Sequence, residues 1–210
     1  MTRILSLHPD NPQARLLRQA AESLQAGGIV ATPTDACHAL VWQIGDRDAL
    51  ERVRQIRALD ARHLMTLLCL DLSQLSIYAA IDTRQFRFLK EWTPGPYTFV
   101  LPATREVPKR LLHPSRRTLG VRVPQTPLLR GLLEAVGEPL LGTTLQLPGD
   151  EQALSESDEI VERLGGRIDL VLEGGRVGLE PTTVVDLTGD QPLVVRFGCG
   201  PVEAMLGQGR

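Results

Sequence analysis

Hydrophobic and polar positions along this chain switch repeatedly between the 3.6-residue period of a helix and the two-residue period of a strand. In NPQARLLRQAAESLQAGG (11–28), Leu16, Leu17, Ala20, Ala21 and Leu24 recur at helical spacing. Asn11 is the expected N-cap, Pro12 the first helical residue, and Gly27 and Gly28 the stop. GIVAT (28–32) predicts a short buried strand running into the turn TPTD (32–35). A second helix is expected from about Asp46 to Leu59, with Leu50, Val53 and Ile56 on one face. LMTLLCL (64–70) predicts a buried strand, and two short helices follow, opened by Asp71 and Asp82. TPGPY (93–97) is a turn and YTFVLP (97–102) a strand; TLGVRVP (118–124) is another strand, ended by Pro124. TPLLRGLLEAVG (126–137) is an amphipathic helix and PLLGTTL (139–145) a strand. SESDEIVERL (155–164) starts a helix with an N-cap serine and an acidic first turn. IDLVLEG (168–174), TTVVDLT (182–188) and PLVVRFG (192–198) predict closing strands.

Helices and strands thus alternate, with no internal repeat, low-complexity tract or linker. The expected fold is a single α/β domain over residues 1–210, with a twisted, mixed sheet flanked by helices. Gly and Pro punctuate the strand ends, where α/β proteins place their sites.

Composition narrows the function classes. A net charge of −2 argues against general nucleic-acid binding but leaves room for a local basic patch. Lys90 and Lys109 are the only lysines, so nearly all the positive charge is arginine, whose planar fork matters at an anion site. Cys37, Cys69 and Cys199 are odd in number and widely spaced, which predicts neither a disulfide framework nor a zinc site. No secretory h-region and no apolar run of about 20 residues is present, so a cytoplasmic protein with no membrane partner is expected.

The stretch TPTDACHAL (32–40) sets Asp35, Cys37 and His38 close together. Neighbouring residues of an extended chain point to opposite faces, so Cys37 and His38 do not form a nucleophile–base dyad. His8, His38, His63 and His113 are scattered, without H-x-x-x-H or H-E-x-x-H, and no protein-bound metal is expected. The P-loop, G-x-G-x-x-G and G-x-S-x-G signatures are absent. What remains is a set of Thr- and Arg-bearing turns: TPTD, IRAL (56–59), PGPYT (94–98), TLGVRVP, PLLGTTLQLPG (139–149), PTTVVD (181–186) and VRFG (195–198). Such turns offer hydroxyls and backbone N–H groups to an anion. Arg122 and Arg196 sit within apolar strands, where an unpaired charge is costly.

In this order the turns resemble the YrdC-like family of threonylcarbamoyl-adenylate synthases, from about residue 8 to 203. The likeness is greatest to its YciO branch, through HPDNPQ (8–13), IRAL, TLGVRVP and LLEAVGEP (132–139). The family's opening turn, PTDTVYGL, stands here as PTDACHAL (33–40), which makes this loop a substrate holder. The resemblance implies a YrdC-like fold with a concave basic face. It implies condensation of L-threonine, bicarbonate and ATP, with Mg²⁺ carried on the ATP, to threonylcarbamoyl-AMP and pyrophosphate. That product feeds N6-threonylcarbamoyladenosine at position 37 of tRNA. Carried over, Arg122 grips the threonine carboxylate with Thr34 and Thr182 or Thr183. Arg57, Thr118, Thr144, Gln146 and Arg196 meet the nucleotide, Arg57 in the catalytic role.

The chain departs from the family pattern. Lys-x-Arg becomes Arg57-Ala58-Leu59, and Ser-x-Asn becomes Thr144-Leu145-Gln146. The histidine of the following strand becomes Leu68, and Ala36 and His38 replace Thr and Tyr. Loss of the cation at position 59 implies a weakened synthase unless Arg54 or Arg62 substitutes. The alternative is a binding protein for double-stranded RNA or a ribonucleoprotein with a degraded nucleotide pocket. Its candidate contacts are Lys109, Arg110, Arg116 and Arg117 of the basic stretch 107–123.

Overall fold

The computed structural model describes residues 2–60, 63–203 and 205. Its elements follow in chain order. They are β1 (Arg3–Ser6), α1 (Ala14–Gln25), β2 (Val30–Thr32), β3 (Ala39–Gln43), α2 (Arg47–Arg57), β4 (Thr66–Leu68), α3 (Leu72–Tyr78) and α4 (Thr83–Trp92). After these come β5 (Tyr97–Pro102), β6 (Thr118–Arg122), α5 (Pro127–Val136), β7 (Leu140–Thr144), α6 (Ser157–Leu164), β8 (Leu170–Glu173), β9 (Thr183–Asp186) and β10 (Leu193–Arg196). The ten strands form one mixed sheet in the order β1-β8-β2-β3-β7-β4-β6-β5-β9-β10. Pairing is parallel at β1–β8, β8–β2, β4–β6 and β5–β9 and antiparallel elsewhere. Among the described residues, no helix is long and apolar enough to cross a membrane.

Each strand sends alternate side chains to opposite faces, and the two faces are covered differently. On one face Ala31, Leu40, Trp42, Leu67, Phe99, Leu101, Leu119, Val121, Leu141, Val171 and Val185 belong to a single buried cluster that includes Leu50, Val53 and Ile56 of α2, Leu75 of α3, Leu89 of α4 and Ile160 and Leu164 of α6. That cluster runs across most of the sheet. On the other face Val30, Val41, Leu68, Leu140, Leu170 and Leu172 pack under Leu17, Ala20, Ala21 and Leu24 of α1 and Leu128, Leu129, Leu132 and Leu133 of α5. This second cluster stops at β7 and β4. Beyond it, β6, β5 and β9 show Gly120, Arg122, Thr98, Thr182 and Val184 on the uncovered face.

Two helix starts differ from the sequence reading. α1 begins at Ala14 with Gln13 as its N-cap, not at Pro12 after Asn11. The cause is His8: its Nδ1 accepts from the backbone N–H groups of Asp10 (3.2 Å) and Asn11 (3.1 Å), which fixes this segment as a turn. α6 begins at Ser157 after Glu156, with no side-chain cap. The Ser155 hydroxyl instead lies 3.5 Å from the Glu156 carboxylate. β1 and β3 were not legible. β3 is apolar from Ala39 to Trp42 and buried on both faces, so it shows no alternation. β1 is an edge strand held by β8 alone.

α4 carries the best-formed cap. Asp82 accepts from Gln85 N–H (2.7 Å) while the Gln85 carbonyl oxygen accepts from Asp82 N–H (2.9 Å). Gln85 also donates to the buried Leu187 carbonyl (2.7 Å), tying the helix to the chain after β9. Asp82→Ala is expected to cost about 1 kcal/mol. Gln85→Ala is expected to cost more, about 2 kcal/mol, because it also orphans a buried carbonyl. Urea denaturation of the two variants checks the order.

Candidate functional site

The uncovered part of the sheet is the floor of a cleft of about 290 Å³. Even-numbered strand residues make up most of its floor: Gly142 and Thr144 from β7, Thr66 and Leu68 from β4, Gly120 and Arg122 from β6, Thr98 and Val100 from β5, and Thr182 and Val184 from the β9 segment. Where the helix-covered half of this face carries Val and Leu, this half carries Gly, Thr and Arg. A Cβ on Gly120 would come within 3.1 Å of the Thr98 methyl, and one on Gly142 within 3.0 Å of Leu68. Glycine at both positions keeps the floor low.

Arg122 is buried, and its guanidinium is ion-paired to Asp35 of the opening turn. It also donates to the Thr34 hydroxyl at 3.3 Å. Thr34 in turn donates to the Cys37 carbonyl (2.7 Å) and accepts from Ala36 N–H (3.0 Å). Asp35 further accepts from Gln125 N–H at 3.2 Å. The turn after β2 is therefore knitted to itself by Thr34 and anchored to β6 by Asp35. Arg122 Nε remains buried with no hydrogen-bond partner, and so does Arg57 Nε. Both arginines line the cleft and give it the charge that suits an anionic group.

Arg57 comes from the last turn of α2. Ala58 caps that helix in the left-handed region (φ 48°), and Leu59 beyond it packs against the core. Position 59, where the family pattern carries its second cation, is thus occupied by a side chain turned away from the cleft. Arg54 is ion-paired to Glu51 at 2.6 Å, and Arg62 lies outside the described residues.

Arg196 reaches the cleft because β10 is irregular. Val194 pairs with Val185 and packs on the core, but Arg196 pairs with Val184, so Val195 forms a bulge. Under strict alternation Arg196 would share the face of Val194. The extra residue turns it toward the cleft instead. It donates to the Thr182 carbonyl (2.9 and 3.2 Å) and lies 3.3 Å from the Thr182 hydroxyl, which is 2.8 Å from the Thr98 hydroxyl. Thr144 and Gln146 line the opposite wall, where the Gln146 amide donates to the Asp150 carbonyl at 2.8 Å. His63 stands at the rim; burial and then the nearby Arg57 push its imidazole below the ordinary range.

The cleft thus gathers Arg57, Arg122, Thr144, Gln146, Thr182 and Arg196. Other positions singled out in the sequence fall elsewhere. Thr183 points to the opposite face, donating to the Gly200 carbonyl (2.6 Å) and accepting from Gly198 N–H (3.1 Å). Thr118 is buried at the start of β6, four residues from Arg122, roughly 13 Å along the strand. Lys109, Arg110, Arg116 and Arg117 lie between β5 and β6 and do not line the cleft. Arg110 spends its guanidinium on the Gly45 carbonyl at 2.9 Å. Missed in the sequence were His63, Thr66 and Asp35 as the partner of Arg122; Thr98, Gly120 and Gly142 fell within the turns PGPYT, TLGVRVP and PLLGTTLQLPG but were not read as a floor. The two-residue period of the strands would have shown the floor.

Cys37 and His38 diverge. Cys37 lines the cleft beside Thr144, 4.0 Å away, and burial pushes its thiol up, away from nucleophilic thiolate. His38 lines a different cavity. Among the described residues, no group of three or more His, Cys, Asp or Glu could hold a metal ion.

Two predictions follow from this arrangement. Asp35→Ala leaves the buried Arg122 charge without its partner and should cost about 3 kcal/mol by chemical denaturation, whereas Gln125→Ala, which keeps the pair, should cost far less. The second concerns His38, whose imidazole burial pushes down from 6.5 to about 4. The unfolded chain then binds a proton that the folded chain refuses, so His38 takes stability away as pH falls from about 6.5 toward 4, about 3 kcal/mol in all. The stability difference between wild type and His38→Gln, followed by denaturation from pH 7 to pH 4, should show that slope.

Comparison with known proteins identifies the family. The family model Sua5_yciO_yrdC, described as telomere recombination, matches residues 22–198. The chain is 50% identical over 206 residues to the uncharacterized protein YciO of Escherichia coli K12, covering 98% of this chain and 100% of that one. The crystal structure of E. coli YciO superposes with a TM-score of 0.93. A threonylcarbamoyl-AMP synthase of Halorhodospira halophila is 33% identical over 176 residues, covering 81% of this chain and 89% of that protein. Pyrococcus abyssi Sua5 complexed with L-threonine superposes with a TM-score of 0.89 at 25% identity, over 98% of this chain but 60% of that longer one. The chain belongs to the Sua5/YciO/YrdC family.

Proposed function

We propose that the cleft binds L-threonine, bicarbonate and MgATP and forms threonylcarbamoyl-AMP, at a rate lowered by the missing cation at position 59. The observation that supports this reading is the convergence of three arginines, Arg57, Arg122 and Arg196, on one cleft floored by Gly and Thr. The threonine amine condenses with bicarbonate to a carbamate and water. A carbamate oxygen then attacks the α-phosphorus, and pyrophosphate leaves. Positioning and charge neutralisation carry such a step. Arg122, already oriented by Asp35, would hold the threonine carboxylate beside Thr182. Arg57 and Arg196 would neutralise the phosphates, with Thr144 and Gln146 donating to them. Mg²⁺ would arrive on the triphosphate, since among the described residues the arginine-lined cleft offers it no carboxylate cluster. The product would serve N6-threonylcarbamoyladenosine formation on tRNA.

The alternative, binding of double-stranded RNA, rests on Lys109, Arg110, Arg116 and Arg117 on the segment between β5 and β6. It predicts steep salt dependence of RNA affinity that is indifferent to changes in the cleft.

Pyrophosphate release from MgATP, with and without L-threonine plus bicarbonate, tests the synthase reading. Release dependent on both, reduced about 10²-fold by Arg57→Ala or Arg196→Ala, is the expected result. Release independent of both, with a family synthase active alongside, would overturn it.

A further inference from the structure

Three arginines neutralise phosphates, but the first step assigned to the cleft needs a base. Near neutral pH an amino acid brings its amine mostly as an ammonium ion. Its condensation with bicarbonate forms one N–C bond and breaks one N–H bond and the C–OH bond. The products are the carbamate, water and one proton. That proton has to leave the nitrogen before the nitrogen can bond to carbon, so a group in the cleft must take it.

Among the described residues, the ionisable side chains lining the cleft are Cys37, Arg57, His63, Arg122 and Arg196. The arginines stay charged and accept nothing. Burial pushes the Cys37 thiol up, so it keeps its own proton. Asp35, beside the cleft, is committed to Arg122. His63 remains, and imidazole is the side chain suited to taking a proton near neutral pH.

His63 follows α2 and shares the cleft wall with Arg57. Its backbone N–H donates to the Asp60 carboxylate (2.9 Å) and to the Asp60 carbonyl (3.2 Å), which ties the residue to the end of the helix. The residue is exposed to solvent, so a proton taken inside the cleft can pass on to water. The charged groups that face it are Arg57 and Arg54 of α2, Arg196 of β10 and Asp60. Partial burial and then Arg57 lower the basicity of the ring, with Asp60 opposing them. The ring is therefore neutral at pH 7 and able to accept. Phosphates seated on Arg57 and Arg196 would cancel two of the repulsions and make the imidazolium easier to form.

On the synthase reading above, we propose that His63 is the proton acceptor for the substrate amine, taking the proton released as the N–C bond to bicarbonate forms and delivering it to solvent at the rim. The same arrangement makes bound nucleotide raise the basicity of His63. Carbamate formation is then favoured in a cleft that already holds the ATP that consumes the carbamate.

The test is the pH profile of pyrophosphate release from saturating MgATP, L-threonine and bicarbonate, in wild type and in His63→Gln. An exposed position makes this substitution safe for the core. Wild-type kcat should fall as pH drops through the His63 titration, because a protonated ring cannot accept. At about pH 7, His63→Gln should lose about 10²-fold in kcat, with KM for ATP within about twofold. The deficit should narrow toward about pH 9, where the amine sheds its proton unaided. Histidine proton signals supply a readout without turnover: the His63 midpoint should move to higher pH when the magnesium complex of α,β-methylene-ATP is bound. Equal kcat at pH 7, a deficit of the same size at every pH, or a midpoint that stays or falls with the nucleotide bound would each overturn the proposal and leave the synthase reading standing. Wild-type release that needs neither threonine nor bicarbonate would overturn both.

Discussion

The architecture depends on unequal cover. One face of the sheet is sealed by α2, α3, α4 and α6, whereas α1 and α5 seal the other face only as far as β7 and β4. A sheet face left open to water cannot carry a run of Val and Leu without exposing a large apolar patch. The chain resolves this by changing composition at one parity and not the other. Leu119, Val121 and Val123 stay in the core while Gly120 and Arg122, from the same strand, face the cleft. The site is thus a gap in helix cover that the strand sequences anticipate residue by residue.

The cleft's cations then require two local devices. Arg122 is tolerable in a buried strand because Asp35 meets it, and Asp35 is in place because Thr34 ties the opening turn together. Arg196 enters only because Val195 adds one residue to β10. The charge in the cleft and the conformation of two backbone irregularities are therefore one arrangement. The same turn that anchors Arg122 separates Cys37, which lines the cleft, from His38, which lines a different cavity.

Much of this could be read from the sequence. The α/β class and fourteen of the sixteen helices and strands named above follow from the period of the apolar positions, with YTFVLP matching β5 in full. β3 was hidden because a strand buried on both faces has no alternation, and β1 because its partner β8 lies far along the chain. The gathering of Arg57, Thr144, Gln146 and Arg196 followed family order and not any local signal. The bulge that aims Arg196 has no signature in PLVVRFG, and the failure of Thr183 to reach the cleft follows from its odd parity next to Thr182. Leu59 could be seen as a lost cation, but its turn into the core is set by the left-handed Ala58, which only the backbone reveals.

The central claim is that the open face of the sheet is an anion site built by Arg57, Arg122 and Arg196. Calorimetric titration with the magnesium complex of α,β-methylene-ATP, which cannot be cleaved at the α-phosphate, tests it most directly. The account predicts saturable binding at one site, weakened at least about tenfold by Arg57→Ala or Arg196→Ala and unchanged by a Lys109→Ala, Arg116→Ala double variant. Equal affinity in wild type and both cleft variants would contradict it.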